Sequence, residues 1–593
     1  MTIYPQADEK DFEQMDEIQT SPYKVVDRDK KKILLDGLKQ REPNAKLLKF
    51  HKSLCPGCVS EEKFDQMLID SVVYVVDNKV WIFKICKEHG VFKEIYWSDY
   101  GMYKKAEKFQ DNGINLSCTQ VDKDKINCPY DCGLCNKHES HTNLGNIALT
   151  NRCDLACWYC FFYAKDGENI YEPSLEQIRF MLKSLRDTKP VGANSCQFTG
   201  GEPTLRTDLI EIIEAAKEAG FDHVQLNTNG ITLSKDLEFV KKIKKAGVSS
   251  LYMSFDGVTP ETNPKNYWEA PRAIENCKQA GIGVVLVPTV ISGINDHELG
   301  DIIRFGIGNM DVIRGINFQP ISFVGMMPDR LRKKQRITIP SAIKKIEEQT
   351  DGEIGKEHWY TIPCAKAITD FIEAVKDQKK YRLSPHFTCG MVTYVFKDGE
   401  KIVPLPSFFD VDGFFEYIKE ATDAINNSSM KALRKPMVLM KLLSKIGSFV
   451  DESKKPKDLK FTELLKGALG NSDYQSLGQF HSKAMLIGMM HFQDPYNWDM
   501  DRVHKCCIHY AVPDGRLIPF CTFNVIPELY RDKIQREFSI SSKEWEERTG
   551  KKIGSDRHIR SLTQSDIDDV KESYDKYRKN LPKSTGSDWS DED

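Results

Sequence analysis

The stretch that most constrains this chain is Cys153-Asp-Leu-Ala-Cys157-Trp-Tyr-Cys160, which follows the apolar segment 146–150. Three cysteines at CxxxCxxC spacing, with no fourth cysteine in the loop, can ligate three irons of a cubane 4Fe-4S cluster. The fourth iron then stays open to a ligand that is not protein. Thiolates suit iron and sulfide because all three are soft partners.

Two further features accompany this loop. Tyr159 stands directly before the third cysteine, and Thr199-Gly200-Gly201-Glu202-Pro203 follows another apolar segment. A zinc knuckle or a chance group of cysteines is the alternative, and we disfavour it because the three features occur together and in order. The combination resembles the radical S-adenosylmethionine (SAM) superfamily. The resemblance implies that the open iron binds the amino and carboxylate groups of SAM, that the GGEP loop meets the methionine amine, and that Tyr159 packs near the adenine.

Length, charge and cysteine content limit the class of protein and the cellular compartment that we expect. The chain has 593 residues, so several domains are expected, and its formal charge of -3 gives no general drive toward nucleic acid. The sequence has no apolar run long enough for a membrane span. The polar, acidic start is not expected to be a secretory signal, and seventeen cysteines then favour metal ligation over disulfides. We expect an oxygen-sensitive, cytoplasmic protein.

Cysteines before the central motif predict a first metal site. Cys55-Pro-Gly-Cys58 can point two sulfurs one way, and a valine-rich hairpin over 71–84 delivers Cys86, with His89 close behind. This layout is typical of a rubredoxin-like or zinc-ribbon site. Our preferred ligand set for a mononuclear iron or zinc is Cys55, Cys58, Cys86 and Cys118.

A second CxxxCxxC group, Cys128, Cys132 and Cys135, precedes the central one. It lacks a following GGEP loop, so we assign it to an auxiliary 4Fe-4S cluster whose fourth ligand is unassigned. Cys118 could equally join this set. His138 and His141 lie close in sequence and are expected to be exposed loop histidines.

Residues 146–319 alternate between strand-like and helical segments. Strands are predicted at 146–150, 195–198, 223–227, 249–255, 283–290 and 315–318. Helices are predicted at 174–186, 208–219, 235–246, 271–280 and 296–305, with Gly220, Gly247 and Gly281 near three helix ends. This alternation predicts an α/β fold with a parallel sheet, and it resembles the partial (β/α)6 barrel of the radical SAM superfamily. We expect a Cys-rich domain before the barrel and an α+β auxiliary-cluster domain after it. The predicted units are 1–50, 51–143, 144–325, 326–530 and 531–593.

Polar residues follow two predicted strands, Asn227 with Asn229 and Ser254 with Asp256. In barrels of this kind, chemistry lies at the carboxyl ends of the strands. The resemblance implies ribose and carboxylate contacts at these four residues. Ordinary turn chemistry is the alternative, since Asn, Asp and Gly favour turns.

The remaining cysteines predict a third iron-sulfur site. Cys196 and Cys277 fall inside a strand and a helix and are expected to be buried apolar cysteines. Setting these and the central motif aside leaves twelve, enough for three sets of four. The Pro513-Asp514-Gly515 turn predicts a hairpin, so the third set combines Cys364, Cys389, Cys506 or Cys507, and Cys521.

A basic amphipathic segment, 436–450, carries an apolar stripe and is flanked by lysines. It can pack on the core, which we favour, or contact an anionic membrane from the cytoplasmic side. The segment 484–490 is interpreted as flexible apolar surface. The tail 580–593 is polar, acidic and expected to be disordered.

The Cys-rich front, the barrel, Met490-His-Phe-Gln-Asp494 and the hairpin 506–521 together resemble archaeal tetraether lipid synthases. That resemblance implies carbon-carbon coupling of isoprenoid chain ends of archaeal diether phospholipids by a 5'-deoxyadenosyl radical, with three 4Fe-4S clusters, one mononuclear site and an electron donor such as ferredoxin. The alternative enzyme is a radical SAM methylase of a soluble heterocycle such as a pterin precursor. A lipid-sized apolar channel would favour the first, and a compact polar pocket the second. An electron carrier has no need for GGEP, and the sequence singles out no catalytic acid or base.

Overall fold

The computed structural model describes residues 28–114, 116, 127–162, 169–380, 382–471 and 480–578 of the chain. Its first part is a four-stranded antiparallel sheet with strands in sequential order. The elements are α1 (Arg28–Lys39), β1 (Lys46–Leu54), α2 (Pro56–Ser60), β2 (Leu68–Val76), β3 (Lys79–Cys86), β4 (Gly90–Trp97) and α3 (Tyr100–Glu107). Asp77 and Asn78 both take positive φ between β2 and β3, as a tight hairpin turn requires.

A second, larger sheet contains the six predicted strands. The elements are β5 (Leu144–Thr150), β6 (Asn169–Ile170), α4 (Leu175–Arg186), β7 (Ser195–Gly200), α5 (Leu209–Glu218), β8 (His223–Thr228), α6 (Ile231–Lys235), α7 (Leu237–Ala246), β9 (Ser250–Ser254), α8 (Ala270–Ala280), β10 (Gly283–Val287), β11 (Thr289–Val290), α9 (Leu299–Gly308) and β12 (Ile313–Pro320). Strands β5, β7, β8, β9, β10 and β12 pair in that order and are all parallel. Their carboxyl ends therefore meet at one rim.

The chain after β12 returns to this sheet at both edges. The elements are α10 (Arg332–Gln335), α11 (Ile339–Gln349), β13 (Tyr360–Thr361), α12 (Lys366–Lys376), β14 (Gly390–Asp398), β15 (Lys401–Pro404), α13 (Leu405–Phe408), α14 (Val411–Asn426), α15 (Lys431–Lys445), α16 (Phe461–Asn471), β16 (Met485–Met490), α17 (Met500–His504), β17 (Ile508–Ala511), β18 (Leu517–Pro519), α18 (Phe520–Val525), α19 (Arg531–Glu537), β19 (Ile540–Ser541), α20 (Ser542–Thr549) and α21 (Gln564–Asp575). Strand β16 pairs parallel with β12, and β17 pairs parallel with β5.

Two segments differ from the sequence interpretation. The apolar run 484–490 is not flexible surface, because β16 lies between β12 and β14 and buries Met485, Ile487 and Met489. A short apolar run cannot be assigned by periodicity alone, and here strand pairing decides. Helix α15 begins at Lys431, five residues before Pro436, and packs Val438 and Leu442 onto the core.

The N-terminal sheet is fastened to the rest of the chain by buried polar groups. Lys84 donates to the carbonyls of Leu54 (2.6 Å) and Pro495 (2.7 Å), and burial lowers its pKa to about 7. Asp499, fully buried, accepts from Lys49 at 2.7 Å and from the Tyr96 hydroxyl at 2.9 Å. These bonds hold the first metal-ligand group against the barrel. Within the described residues, no helix has the length and apolar character needed to cross a bilayer.

Candidate active site and metal centres

The central cysteine loop lies where the sequence predicts it, directly after β5 at the carboxyl rim of the sheet. Cys153, Cys157 and Cys160 are half-buried, and all three line a cavity of about 310 Å³. We call this cavity the barrel chamber. Burial raises the pKa of the Cys153 and Cys157 thiols. The three cysteines therefore border one cavity.

The GGEP loop is packed flat against the start of this cysteine loop. Gly201 donates to the Thr150 carbonyl and Glu202 to the Arg152 carbonyl, both at 2.8 Å. A Cβ on Gly200, whose φ is +132°, would lie 2.3 Å from the Thr150 oxygen, and one on Gly201 would lie 2.0 Å from the Arg152 oxygen. Only glycine permits this approach. Pro203 then begins a short 3-10 turn, where its fixed φ is tolerated.

Glu202 is buried within the turns that follow β7 and β8. Its carboxylate accepts from the Thr228 hydroxyl at 2.9 Å and from the Asn229 backbone N–H at 2.8 Å, as well as from Thr204. Burial and the nearby charge of Asp154 raise the pKa of Glu202 to about 7. The side chain thus fixes the shape of two neighbouring strand ends at the chamber.

The polar side chains predicted at the ends of β8 and β9 differ in their hydrogen-bond partners. Asn229 lines the chamber, yet its side chain donates to Asp154 Oδ1 at 2.6 Å and accepts from the Ile231 N–H at 3.0 Å, which fixes its orientation. Asn227 donates to Thr199 Oγ1 at 3.2 Å, and both Asn227 and Ser254 line the chamber.

Asp256 joins the aromatic of the cysteine loop to a lysine that sequence reasoning missed. It accepts from the Thr289 N–H (2.8 Å), the Tyr159 hydroxyl and Lys265 Nζ (2.7 Å). The Lys265 ammonium lies 5.3 Å from the centre of the Tyr159 ring. Burial alone would lower the pKa of Lys265, but the Asp256 carboxylate raises it above its ordinary value. No motif marks Lys265 in the sequence, because only the fold brings it to the chamber.

The rest of the chamber wall is rich in amides and aromatic rings. Amide side chains on the wall are Asn146, Gln197, Asn227, Asn229, Asn317, Gln319, Gln493 and Asn524. Aromatic side chains on the wall are Tyr159, Phe161, Phe162, Tyr252, Phe492, Tyr510 and Phe520. Phe492 and Phe520 stack with ring centres 4.3 Å apart. Asn146 is 3% exposed, and its Oδ1 has no hydrogen-bond partner. This oxygen is an acceptor available to a bound molecule.

Four cysteines of the C-terminal part, Cys389, Cys506, Cys507 and Cys521, lie near one another. Burial raises the pKa of Cys506, and so do the neighbouring sulfurs of Cys521, Cys507 and Cys389. Cys521 itself lines the chamber. Both Cys506 and Cys507 join this group, where the sequence chose only one of them. These four side chains could hold an iron-sulfur cluster that faces the same space as Cys153, Cys157 and Cys160.

Cys364 does not belong to this group, and the prediction that it does is wrong in the structure. It packs in the aromatic cluster around α14, and the charges acting on it are those of Asp412 and Lys105. The sequence offered Cys364 and Cys389 as a pair because both follow the barrel. The chain between them forms α12, and Cys364 packs just before this helix against the aromatic cluster around α14.

The second CxxxCxxC group lies outside the chamber wall. The side chains of Cys128 and Cys135 form a hydrogen bond with each other. This bond lowers the pKa of Cys135 and raises that of Cys128. Cys132 is buried beside Thr522. His138 is buried, not exposed as expected, and its Nδ1 lies 4.0 Å from Cys135 Sγ. His141 is buried too, and its Nε2 accepts from the Arg382 N–H.

The first metal-ligand group is Cys55, Cys58, Cys86 and His89, whose ligand atoms lie within 4.8 Å of one another. Each of the three sulfurs lies 3.5 Å from His89 Nδ1, and the sulfurs of Cys58 and Cys86 are 3.8 Å apart. Tetrahedral ligands at about 2.3 Å (sulfur) and about 2.0 Å (nitrogen) from one zinc ion have separations of this size.

Among the described residues, His89 takes the fourth position beside these three sulfurs. Cys118 lies outside the described residues. Glu61 accepts from His89 Nε2 at 3.1 Å, which leaves Nδ1 free to ligate a metal. The Cys86-x-x-His89 spacing was visible in the sequence, but cysteine counting favoured a fourth sulfur.

Cys196 and Cys277 are fully buried in β7 and α8.

The remaining site residues fit the cofactors that the motifs imply. Three sulfurs face the chamber at one end, a tight glycine loop borders them, and the unpartnered Asn146 oxygen lies on its wall. The chamber can therefore hold a cluster together with a polar ligand.

Comparison with known proteins agrees with this geometry. The Radical SAM superfamily model matches residues 147–306, and the HMPTM N-terminal zinc ribbon domain matches residues 47–98. The 7,8-dihydro-6-hydroxymethylpterin dimethyltransferase of Methanocaldococcus jannaschii is 44% identical over 503 residues, which cover 83% of this chain and 96% of that protein.

Other relatives match a smaller share of this chain. A "Probable GTP 3',8-cyclase" of Methanothermobacter marburgensis is 35% identical over 167 residues, 27% of this chain and 52% of that protein. The crystal structure of Streptococcus suis SuiB bound to precursor peptide SuiA matches 36% of this chain and 46% of that chain, with 16% identity and a TM-score of 0.29.

The expected lipid chemistry is overturned by these comparisons. The relative that aligns along most of this chain is a pterin dimethyltransferase. Tetraether or macrocyclic lipid formation and a diether phospholipid substrate were therefore wrong predictions. The membrane contact considered for the segment 436–450 has no support from these comparisons. The resemblance rested on the shared arrangement of cysteines. That arrangement predicts which cofactors bind, but it does not predict the substrate. The chain belongs to the radical SAM superfamily, in the family of the 7,8-dihydro-6-hydroxymethylpterin dimethyltransferase of Methanocaldococcus jannaschii.

Proposed function

We propose that this protein is a radical SAM methyltransferase whose substrate is a soluble heterocycle of the pterin class. The observation that carries the proposal is the 44% identity to a pterin dimethyltransferase over 96% of that protein's length. The alignment includes far more than the barrel shared with other radical SAM proteins. Because it covers 83% of this chain, it includes most of the segments that supply the chamber wall.

The chamber supports the same proposal by its size and by the amides on its wall. Its volume of about 310 Å³ suits a compact ligand, and amides project into it from β5, β7, β8 and β12. A pterin presents hydrogen-bond donors and acceptors along one edge and two flat faces. Amides pair with either type of group, and aromatic rings favour stacked or edge-on contact with a flat ring. An isoprenoid chain would leave these buried amides unpaired, which is costly.

We assign the cofactor contacts residue by residue. Cys153, Cys157 and Cys160 hold the cluster that binds SAM, and the backbone of Gly200 to Pro203 borders the methionine end. Tyr159, held by Asp256 and Lys265, covers the adenine side, while Asn227, Asn229 and Ser254 line the ribose side. When bound, these cofactors supply reductive cleavage of SAM and the hydrogen-abstracting chemistry of the superfamily. The aromatic wall excludes water from that chemistry.

The other metal ligands form three groups in this proposal. Cys55, Cys58, Cys86 and His89 hold one zinc or iron ion. Cys128, Cys132 and Cys135 hold one auxiliary cluster, and Cys389, Cys506, Cys507 and Cys521 hold another. The ligand sulfurs of a cubane lie on separate irons and stand further apart than those around a single ion. Among the described residues, only groups containing His89 bring three or more ligand atoms within 4.8 Å.

The test is anaerobic incubation of reconstituted protein with SAM, a reductant and 7,8-dihydro-6-hydroxymethylpterin, followed by mass spectrometry. The proposal predicts 5'-deoxyadenosine together with a pterin that is heavier by one or two CH2 units. Asn146→Ala should weaken pterin affinity by about tenfold, roughly 1.4 kcal/mol, because the ring loses one buried partner. Asn309→Ala, a half-buried residue at the end of α9 that does not line the chamber, is the matched control. SAM cleavage with an unchanged pterin would reject the substrate and keep the enzyme class.

A further inference from the structure

Arg502, on α17, is a buried cation that lacks a carboxylate partner. The residue is 4% exposed, its Nε donates to Cys389 Sγ at 3.4 Å, and its Nη2 donates to the His491 carbonyl at 2.5 Å. Among the described residues, no Asp or Glu oxygen lies within 4.0 Å of its guanidinium. A buried charge without a counter-charge is strongly unfavourable.

Other buried arginines of this fold do have carboxylate partners. Arg336 pairs with Asp494 at 2.6 Å, and Arg206 pairs with Asp208 at 2.6 Å. Asp499, three residues before Arg502, instead pairs with Lys49 and accepts from Tyr96. The counter-charge of Arg502 must therefore come from somewhere else.

The sulfurs of the C-terminal cysteine group are the available source. Burial opposes the charge on Arg502, while the sulfurs of Cys389 and Cys521 favour it and raise the pKa of the guanidinium. A cysteine sulfur becomes a full thiolate when it ligates iron. A cluster with four thiolate ligands carries net negative charge, so a cation beside it is expected.

Resting on the auxiliary cluster proposed above, we propose that Arg502 is the counter-ion of the iron-sulfur centre at Cys389, Cys506, Cys507 and Cys521 and raises its reduction potential. A hydrogen bond to a ligand sulfur and a nearby positive charge both stabilise the reduced, more negative cluster. Since Cys521 lines the barrel chamber, this potential decides how readily the centre accepts one electron beside the substrate. In this proposal Arg502 contacts neither the substrate nor SAM. It acts by adjusting the reduction potential of the cluster.

The experiment compares the potentials of the full-length, reconstituted protein and its variants by redox titration followed by electron paramagnetic resonance. The signal of this centre is the one that Cys506→Ala removes. Arg502→Gln removes the charge, Arg502→Lys keeps it, and Arg304→Gln removes an arginine paired with Asp301 on the outer helix α9. At the wild-type midpoint, R502Q should lower the ratio of reduced to oxidised centre at least tenfold, a shift of about 59 mV for one electron.

R502K should change that ratio less than R502Q does, and R304Q should leave it unchanged. Loss of the centre's iron in R502Q but not in R502K would also support a charge role. An unchanged potential in R502Q, an equal shift in R502K and R502Q, or iron loss in both variants would overturn the proposal. The methylation assay is independent of this titration, so a wrong substrate would leave the potentials as predicted.

Discussion

Two loops of this chain carry cysteines at the same CxxxCxxC spacing, yet their surroundings differ. Cys153, Cys157 and Cys160 line the barrel chamber and follow a parallel strand. Cys128, Cys132 and Cys135 lie off the chamber wall. Equal spacing therefore gives equal ligand sets but unequal access to a small molecule.

The partners of each loop explain the difference. The central loop is held by backbone bonds to Gly201 and Glu202, and no histidine is among the described residues lining its chamber. The other loop is closed by the Tyr530 hydroxyl, which accepts from the Cys132 N–H at 2.9 Å, and has His138 beside Cys135. The central loop thus borders the open space of the chamber, whereas the other loop has side chains over it. The cysteine spacing predicts a cluster, and the neighbouring elements determine whether a small molecule can reach it.

The largest effect should come from removing the cysteines of the central loop. C153A/C157A/C160A should abolish 5'-deoxyadenosine formation while several irons per chain remain, because the auxiliary ligands are untouched. C128A/C132A/C135A, matched in number and type, should still bind SAM. Iron analysis and product chromatography provide the readouts. Loss of nearly all iron from the first variant without unfolding would mean that the auxiliary assignments are wrong.

A smaller effect is expected from Gly201→Ala. Its Cβ would lie 2.0 Å from the Arg152 carbonyl oxygen, so the GGEP loop must move away from the cysteine loop. SAM affinity should fall by at least tenfold, about 1.4 kcal/mol, in equilibrium binding. Gly447→Ala, where an added Cβ meets open space, is the control. Equal affinities in both variants would show that the close packing has no part in SAM binding.

Glu202 should give the central loop a pH dependence that the other loop lacks. Its pKa is raised from 4.5 to about 7 by burial and by Asp154, so the folded state holds the proton more tightly than the unfolded state does. Stability is then full below about pH 4.5 and decreases as pH rises toward about 7, by an amount on the order of 2–3 kcal/mol.

Thermal unfolding of Glu202→Gln and wild type under anaerobic conditions tests this sign. The amide carries a constant penalty, because an NH2 group faces either Thr204 and Thr228 or the Asn229 N–H. The variant should nevertheless gain on wild type as the pH rises from about 5 to about 8. A difference that stays constant with pH would contradict the shifted pKa.

The smallest effect on SAM cleavage is expected from the N-terminal site. His89→Ala should lower the bound metal by one ion per chain, whereas His89→Cys should retain it, because a thiolate can complete the tetrahedron. Both variants should cleave SAM within about twofold of wild type, since none of the four ligand side chains lines the chamber. Metal analysis and initial rates measure the two properties. Metal retention in His89→Ala would instead favour a ligand outside the described residues.

Local sequence patterns predicted the barrel well. Each predicted strand and helix between 146 and 319 overlaps an observed element, because alternating apolar segments and helix-ending glycines are short-range signals. Pairing between distant segments leaves no such signal. Strands β16 and β17 join opposite edges of the barrel sheet, and nothing near Met485 or Ile508 indicates which strand each one meets.

The same limit applies to the candidate site. Cysteine spacing marks the central loop, but the chain fold decides that Cys364 leaves the third group and that His89 joins the first. Lys265 and Arg502 are charged residues that belong to no sequence motif. Their roles follow from contacts with residues distant in the chain, Asp256 for Lys265 and Cys389 for Arg502. Substrate class was the least predictable property, since it depends on amides contributed by separate strands and loops.

The most direct test of this account follows hydrogen from the heterocycle. A 7,8-dihydro-6-hydroxymethylpterin carrying deuterium at its carbon-bound positions is incubated anaerobically with the protein, SAM and a reductant, and the 5'-deoxyadenosine is analysed by mass spectrometry. If the cysteine loop and the pterin share the barrel chamber, deuterium appears in the 5'-deoxyadenosine and the pterin gains methyl groups. Methylated pterin or cleaved SAM without any deuterium transfer would contradict the shared chamber.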